Sequence, residues 1–494
     1  MGNDRRLRLL LAAGAGGLAG LSLPPLGWPW LLWPAVAVLW ALAGSPQGVG
    51  AGWLWGLVAV LLSHRWLPAL HPLDWVGVPS PLSLPLCLLL WLLVGLLGGV
   101  VVAAWVALVR RLDPARFSTA LLAAGVWGGG EVILAKGPLF WVGLGASSLP
   151  GDPWLAGMAA LVGAGGLAAV QVLLGWGFWK VGRALGMAES PAPPRLAQRR
   201  WLGPLLLLVG LLLPHLAGAA AVAAQADGPS TASETVLVVQ PAIPTRQKFL
   251  PAQQGRLLRL LTAALGEAQP SGATVVLPEG ALALGQGLPA PAEVEVLSGG
   301  FRRSGTALHS ALLRFAPRAT VPASWVDKHR VVPLGEWVPL APLLRWSGLS
   351  AVGGIEAGAP SRLLERPAGS IGVAICYEIA DGQALAEASR AGARWLLASA
   401  NLDPYPLTLQ SQFQALAQLR AMESGRWLVS AANTGPSLLV DPAGRVAAAL
   451  APGRPSTRLL VVPGSERLTP YLRGGEAPLL GLIAVGAALR AARH

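Results

Sequence analysis

The sequence predicts an α-helical membrane bundle of about eight spans joined to an α/β domain built in layers. Three observations carry this. Apolar stretches near 18 residues or longer, the length needed to cross a bilayer, recur up to residue 225 and once more near the end. Between 226 and 475 the chain turns polar, and short β-branched runs alternate with amphipathic ones. The basic residues beside the apolar stretches fall in alternate loops.

Composition agrees. Hydrophobic residues make up 53% and charged residues only 12% of the 494, whereas soluble domains carry roughly 25% charged residues. Mean hydropathy is +0.55. The 21 tryptophans suit a protein with indoles at membrane interfaces. The formal charge of +13 does not point to nucleic acid, because the basic residues are spread along the chain and follow topology.

The expected spans lie at about 7–23, 27–43, 49–67, 83–109, 117–135, 154–178, 201–224 and 477–490, the last one short. The first has Arg5, Arg6 and Arg8 before an alanine- and glycine-rich stretch, as a signal peptide does. It reads as an uncleaved span because six more follow. With the N-terminus in the cytoplasm, three basic groups share that side: Arg110, Arg111 and Arg116; Lys180, Arg183, Arg195, Arg199 and Arg200; and Arg490 and Arg493. The opposite loops hold chiefly Arg65 and Lys136. Eight spans satisfy this positive-inside pattern and seven do not. The expected organisation is a bundle over 1–225, an extracytoplasmic domain over 226–475, and a last span with a cytoplasmic tail over 476–494.

Within the bundle, Gly14, Gly16, Gly17, Gly20 and Gly128 to Gly130 suggest closely packed helices. Glu131 lies inside the fifth span, where a carboxylate is a functional candidate. It either faces a head-group cavity or pairs inside the bundle. A transporter would need more such charges at mid-span than this one.

The outer block begins with ETVLVVQPAIP, a buried strand feeding a loop. GATVVLPEG, AEVEVLSGG, SIGVAICYE, ARWLLASAN, RWLVSAAN and TRLLVVPG read as further strands, and DPAG marks a hairpin within PSLLVDPAGRVAAAL. QQGRLLRLLTAALGEA and LTLQSQFQALAQLRAMESG have helical spacing. The second places Leu409, Phe413 and Leu416 on one face and stops at Gly425.

Of the two cysteines, Cys87 sits mid-span and reads as a small buried hydrophobe. A disulfide from it to Cys376 would have to join the bilayer core to a polar domain. Cys376 is therefore a free thiol. No metal-ligand spacing occurs, and no cofactor or metal is expected.

Cys376 ends the strand SIGVAICYE; Ile371, Val373 and Ile375 alternate to one face and leave Cys376 for the other. Glu279 is the first group beyond the apolar run of VVLPEG. A thiol that attacks an ester at neutral pH needs a base and a neighbouring cation. Glu279 can serve as the base, and Lys328 of DKHRVVPLGEW as the stabiliser of thiolate and oxyanion.

LPEG, then lysine followed eight positions later by glutamate within VPLGEWVP, then CYE, resembles the Glu–Lys–Cys set of the nitrilase superfamily. Fused to an eight-span bundle, it resembles the apolipoprotein N-acyltransferase family. VVQPAIPTRQKF, LRAMESGRWLVSAANTG and LTPYLRGG are similar to that family's opening strand, later helix–strand segment and closing signature. The resemblance implies a nitrilase-like αββα sandwich in the periplasm of a bacterium, on the inner membrane, with both termini cytoplasmic. It implies that Cys376 takes an acyl group from a phospholipid, with phosphatidylethanolamine the donor. The thioester would pass that group to the N-terminal S-diacylglyceryl-cysteine of an apolipoprotein. Glu279, Lys328 and Cys376 would be catalytic, and Glu336 and Glu378 supporting. The alternative is a membrane-tethered amidohydrolase, in which water resolves the acyl-enzyme.

Two departures stand out. The family has tyrosine two residues before the lysine and histidine two after; here Val326 and Arg330 hold those places, with Trp325 and His329 displaced by one. After Asn401 the family has an aspartate and a Trp-Phe-Gly loop, whereas here Asp403 and Tyr405 are the nearest equivalents. The apolar segment GPLFWVGLG (137–145) is expected to flank a lateral lipid entrance.

Overall fold

The computed structural model describes residues 2–73, 78–186, 202–226, 231–248, 250–333, 336 and 354–492. Arg195, Arg199, Arg200 and Arg493 of the basic pattern, and all of VPLGEWVP except Val332, Pro333 and Glu336, lie outside them.

The apolar stretches become helices α1 (Gly2–Ser22), α2 (Pro29–Ala43), α3 (Gly48–Ser63), α4 (Ser80–Arg111), α5 (Phe117–Ala135), a single turn α6 (Pro153–Ala156), α7 (Ala159–Gly186) and α8 (Leu202–Ala226). Helices thus stand at the first seven expected places, and α13 (Ala477–Ala491) stands at the eighth. Among the described residues, five segments are long and apolar enough to cross a membrane: Gly48–Leu70, Ser80–Arg111, Phe117–Ala135, Ala159–Leu185 and Gly203–Gln225. Pro29–Ala43 and Ala477–Ala491 are shorter apolar helices, and α1 is not among the five. The sixth span starts at Ala159 rather than 154, because α6 and a turn precede it.

Small residues let the bundle close. A Cβ on Gly16 would stand 2.3 Å from the Trp55 carbonyl oxygen, and one on Gly128 2.4 Å from that of Gly165. Gly14, Gly129 and Gly130 have nothing within 4 Å and do not serve that purpose. Helix α7 is broken at Gly163, where φ is +71, a conformation that glycine reaches without strain.

The polar block forms two six-stranded sheets. The first runs β12 (Ser456–Gly464), β1 (Thr231–Gln240), β2 (Thr274–Leu277), β3 (Val296–Ser304), β4 (Ala307–Phe315), β5 (Ser324–Asp327). The second runs β11 (Val446–Ala449), β10 (Leu438–Val440), β9 (Leu428–Ala432), β8 (Leu396–Ala400), β7 (Ile371–Ile375), β6 (Leu363–Leu364). Each has three parallel strands at its centre, β1–β2–β3 and β7–β8–β9, with antiparallel edges. The expected hairpin around DPAG is β10–β11.

Strand alternation sorts side chains into layers. Val236, Val238, Val276, Ile371, Val373, Ile375 and Val429 meet between the sheets. Leu237, Val239 and Val275 face α9 (Pro251–Ala268) through Leu257 and Leu261. Ala374, Ala398 and Leu428 face α10 (Gly382–Arg390) and α11 (Leu407–Ser424) through Leu385, Phe413 and Leu416. Helix α11 ends at Gly425, left-handed at φ +61, as its sequence requires. The order is helix, sheet, sheet, helix, and α11 also packs against the bundle, with Leu155 and Leu167 in its cluster. The short turn α12 (Pro470–Gly474) leads into α13. Sequence reasoning missed β4, β5, β6 and α10.

Candidate active site

The three catalytic candidates follow the ends of β2, β5 and β7. β2 and β7 are parallel strands inside their sheets, whose carboxyl ends leave a crevice, and the antiparallel edge strand β5 ends beside it. Glu279 is two residues beyond β2, and Lys328 and Cys376 immediately follow β5 and β7.

Cys376 departs from its expected place. A continued strand would send it to the face opposite Ile375. Instead the chain turns at φ +56, rare for a residue with a Cβ, and Cys376 clusters with the inner-face residues. That turn brings the thiol toward the Glu279 and Lys328 charges.

Lys328 is 1% exposed. Its Nζ donates to Glu279 Oε1 at 2.8 Å and to Glu336 Oε1 at 2.7 Å. The other Glu279 oxygen accepts the Asn401 backbone N–H at 3.0 Å, from the end of β8. The second oxygen of Glu336 accepts the Val332 N–H at 2.9 Å. Three of the five residues singled out, Glu279, Lys328 and Glu336, thus form one hydrogen-bonded cluster, and the Cys376 thiol faces it.

Glu378, the fifth, lies behind the site. Its carboxylate accepts the N–H of Ile375 (2.9 Å), His329 (2.7 Å) and Arg330 (3.0 Å), and pairs with Arg362 at 3.0 Å. One buried carboxylate therefore ties the residue before Cys376 to the loop after Lys328. Arg362 carried no sequence signal; it stands sixteen positions before Glu378, with β6 and β7 between them.

The charges are set by this packing. Burial pushes the Glu279 carboxyl up, but Lys328, and Lys248 behind it, outweigh that and hold it below its ordinary range. Burial pulls the Lys328 ammonium down, and the Glu279 and Glu336 carboxylates more than reverse this. Glu336 is raised, chiefly by burial, with the Glu279 charge adding to it. Burial pushes the Cys376 thiol well up, and the Glu279 charge pushes it further. At rest the site therefore holds a protonated thiol beside an ionised base and a locked ammonium. That arrangement can deprotonate sulfur as it attacks and stabilise the oxyanion that forms.

The departures from the family pattern resolve into contacts. Val326 is buried at the inner face, and Trp325 points outward over Arg302, 4.5 Å from its guanidinium. His329 bonds the Gly358 carbonyl at 2.8 Å. Arg330 reaches the bundle, donating to the carbonyls of Ala135 (2.6 Å) and Gly137. Asp403 accepts the Thr245 N–H at 2.7 Å. Tyr405 stacks edge-on against Trp66 of the bundle, centroids 5.7 Å apart, and Trp66 meets Phe140 at 6.3 Å.

Glu131 has its partners within the bundle. It accepts from Trp127 Nε1 at 2.8 Å and, with both oxygens, from the Leu144 N–H at 3.0 Å. Cys87 is buried and free, as is Cys376.

Comparison with known proteins agrees with this geometry. Residues 15–177 match the apolipoprotein N-acyltransferase N-terminal domain, and residues 250–461 match the carbon-nitrogen hydrolase family. The apolipoprotein N-acyltransferase of Prochlorococcus marinus (strain MIT 9313) is 46% identical over 493 residues, 98% of this chain and 96% of that protein. The chain belongs to the apolipoprotein N-acyltransferase family. The apolipoprotein N-acyltransferase of Parasynechococcus marenigrum (strain WH8102) is 44% identical, over 96% of this chain and 98% of its own. Among solved structures, a branch 10 nitrilase-superfamily protein of Saccharomyces cerevisiae is similar, with TM-score 0.36 and 17% identity over 47% of this chain and 91% of that one. The two-sheet part carries the carbon-nitrogen hydrolase match, and the apolar helical part the match to the apolipoprotein N-acyltransferase N-terminal domain.

Proposed function

We propose that this chain transfers an acyl group from a phospholipid to the N-terminal S-diacylglyceryl-cysteine of apolipoproteins, by way of a thioester on Cys376. The observation that carries the reading is the Cys376–Glu279–Lys328 cluster lodged against a membrane bundle. In the first half, Glu279 takes the thiol proton as sulfur bonds to the ester carbonyl carbon. Lys328 balances the oxyanion. The carbon–oxygen bond then breaks, Glu279 returns the proton to the glycerol oxygen, and lysophospholipid leaves. In the second half, the α-amine attacks the thioester and gives a proton to Glu279. The carbon–sulfur bond breaks, and the thiolate recovers that proton. An ester becomes an amide through a thioester, so no nucleotide is needed.

In this reading Glu336 orients Lys328, and Glu378 with Arg362 holds the nucleophile's turn. The donor is phosphatidylethanolamine. The protein sits in the bacterial inner membrane with eight spans and both termini cytoplasmic. The bundle covers 1–225, the periplasmic catalytic domain 226–475 and the last span with its tail 476–494. Lipid enters laterally beside Phe140 and Trp141, close to the Trp66–Tyr405 contact.

The test is the intact mass of detergent-purified protein after incubation with phosphatidylethanolamine, beside Cys376→Ala. The expected result is an added acyl mass that hydroxylamine releases, absent from the variant. A diacylated lipopeptide should discharge it while water does not. Discharge by water at the same rate would replace the transferase with a hydrolase; no adduct with any phospholipid would overturn both.

A further inference from the structure

One buried cation beside the nucleophile has no part in the scheme above. Lys248 follows the short turn after β1 and is 7% exposed. Its Nζ donates to the main-chain carbonyl of Glu279 at 2.9 Å. Burying an ammonium is costly unless its charge is used, and a peptide oxygen is an acceptor that a neutral amide would satisfy as well.

The segment that delivers Lys248 is fixed at several points. Asn433, at the end of β9, bonds Ile243 twice, accepting its N–H at 3.0 Å and donating to its carbonyl at 2.7 Å. Thr245 accepts from the Asn401 amide at 3.0 Å, the same residue whose backbone N–H holds the base. Gln254 of α9 donates to the Lys248 carbonyl at 2.6 Å. The space around the ammonium is equally tight. Gly280, the residue after the base, has φ +60, and a Cβ there would stand 2.8 Å from Nζ. The fold thus commits two strand ends and a helix to holding one ammonium behind the base.

The groups facing Lys248 are, in order of influence, Glu279, Asp403 and Cys376. The thiol in turn is faced by Glu279, Lys328 and Glu336, and the two ammoniums Lys328 and Lys248 share Glu279 between them. Lys328 is committed to both carboxylates, Glu279 and Glu336, by direct contact. Attack on an ester adds a further negative charge to this cluster, and Lys248 is a second ammonium placed to offset it.

We propose that Lys248 is a positioning residue for acyl transfer: it pins the main chain of Glu279 from behind and keeps the site from becoming too negative when the thioester forms. This rests on the Glu279–Lys328–Cys376 reading above. It predicts a pH signature that a loop staple would lack. Removing the cation raises the Glu279 carboxyl, so its base form is lost at a higher pH and the acid limb of the rate profile moves up. Burial also pulls the Lys248 ammonium down to about 8. The same site should therefore show an alkaline limb near that pH, absent when a guanidinium, which stays charged, replaces it.

The experiment is the rate of lysophospholipid release against pH for the full-length protein, with Lys248→Met, Lys248→Gln and Lys248→Arg. Cys376→Ala serves as the zero and wild type as the check on the underlying reading. We expect Lys248→Met and Lys248→Gln to be slower by about 100-fold, the order seen when a charge-stabilising donor is removed. Their acid limb should rise by roughly one unit. Lys248→Arg should recover much of the rate and lose the alkaline limb. A uniform rate loss with unmoved limbs, in variants that melt like the wild type, would reduce Lys248 to a structural contact. If Lys248→Met fails to fold, the limbs of Lys248→Gln and Lys248→Arg decide the matter. A wild type that releases no lysophospholipid would overturn the acyl-transfer reading itself.

Discussion

The guanidinium of Arg330 donates to the carbonyl oxygen of Ala135, 2.6 Å away across the boundary between the catalytic layers and the bundle. Arg330 is two residues after Lys328, so the loop that carries the ammonium is anchored to the end of a candidate membrane span. A second bond, to Gly137, uses the fork of the same side chain, and its plane lies 4.8 Å from the ring of Tyr377, next to the nucleophile. Arg330→Met should lower stability by about 1–3 kcal/mol, the cost of leaving charged hydrogen bonds unmade. It should also slow thioester formation by roughly tenfold or more. Arg330→Lys should recover only part, because a point charge cannot span two carbonyls as a fork does. Melting curves and acyl-mass kinetics check both; equal rates in all three proteins would remove the loop anchor from the catalytic argument.

Glu279→Gln should separate acidity from catalysis. The carboxylate raises the thiol, so its neutral amide should make Cys376 react faster with iodoacetamide at pH 8. Acyl transfer should nonetheless fall about 100- to 10,000-fold, because the base is gone. A slower alkylation in the variant would contradict the assigned electrostatics.

Glu378→Ala leaves Arg362 and three backbone N–H groups without their acceptor. Breaking a buried pair in this way costs about 3–5 kcal/mol. The expected result is a large fall in melting temperature with loss of thioester formation. Glu378→Gln, which keeps an acceptor, should melt between the two.

Glu423 on α11 supplies a pH effect on stability. Burial raises its carboxyl to about 7 from an ordinary 4.5, even with Arg420 beside it. For a carboxyl raised in the folded state, the stabilising contribution is complete below 4.5 and is lost as the pH rises through about 7. Its Oε1 accepts the Ala164 N–H at 2.7 Å, next to the break in α7. The docking of the two-sheet layers on the bundle should therefore weaken between about pH 4.5 and 7, by on the order of 3 kcal/mol. Glu423→Gln should flatten that slope in melting temperature against pH, and an unchanged slope would assign it to another group.

Phe140→Asp and Trp141→Asp test the lateral entrance. Phe140 is 9% exposed and packs on Trp66. Either charge should slow acylation by phospholipid while leaving alkylation of Cys376 by a small water-soluble reagent within about twofold. Unchanged acylation would place the entrance elsewhere.

The fold and site were unequally legible. Strand alternation placed Ile371, Val373 and Ile375, and helical spacing placed Leu409, Phe413 and Leu416, because burial on one face leaves a periodic trace. β4 carries His309 and Arg314 within nine residues, and β5 has four residues; both fall below what periodicity detects. Glu279, Lys328 and Cys376 were found through ordered motifs. The turn at Cys376 was not, since a left-handed non-glycine residue leaves no compositional mark. Nor were Lys248, Arg362 and the Arg330–Ala135 bond, whose partners are 16 to 195 residues apart and obey no local rule.

The contacts across the bundle boundary bear on any attempt to detach a soluble enzyme. Gln412 donates to the Ser63 carbonyl at 2.8 Å, Ala164 to Glu423, and Tyr405 rests on Trp66. A truncated fragment would expose the apolar flank of α11 to water. It would release the anchor of the lysine loop, and strip the cover from Tyr405. For this chain the helices are part of the site's own scaffold, and the lipid entrance proposed above and the rigidity of the site would be lost at the same cut.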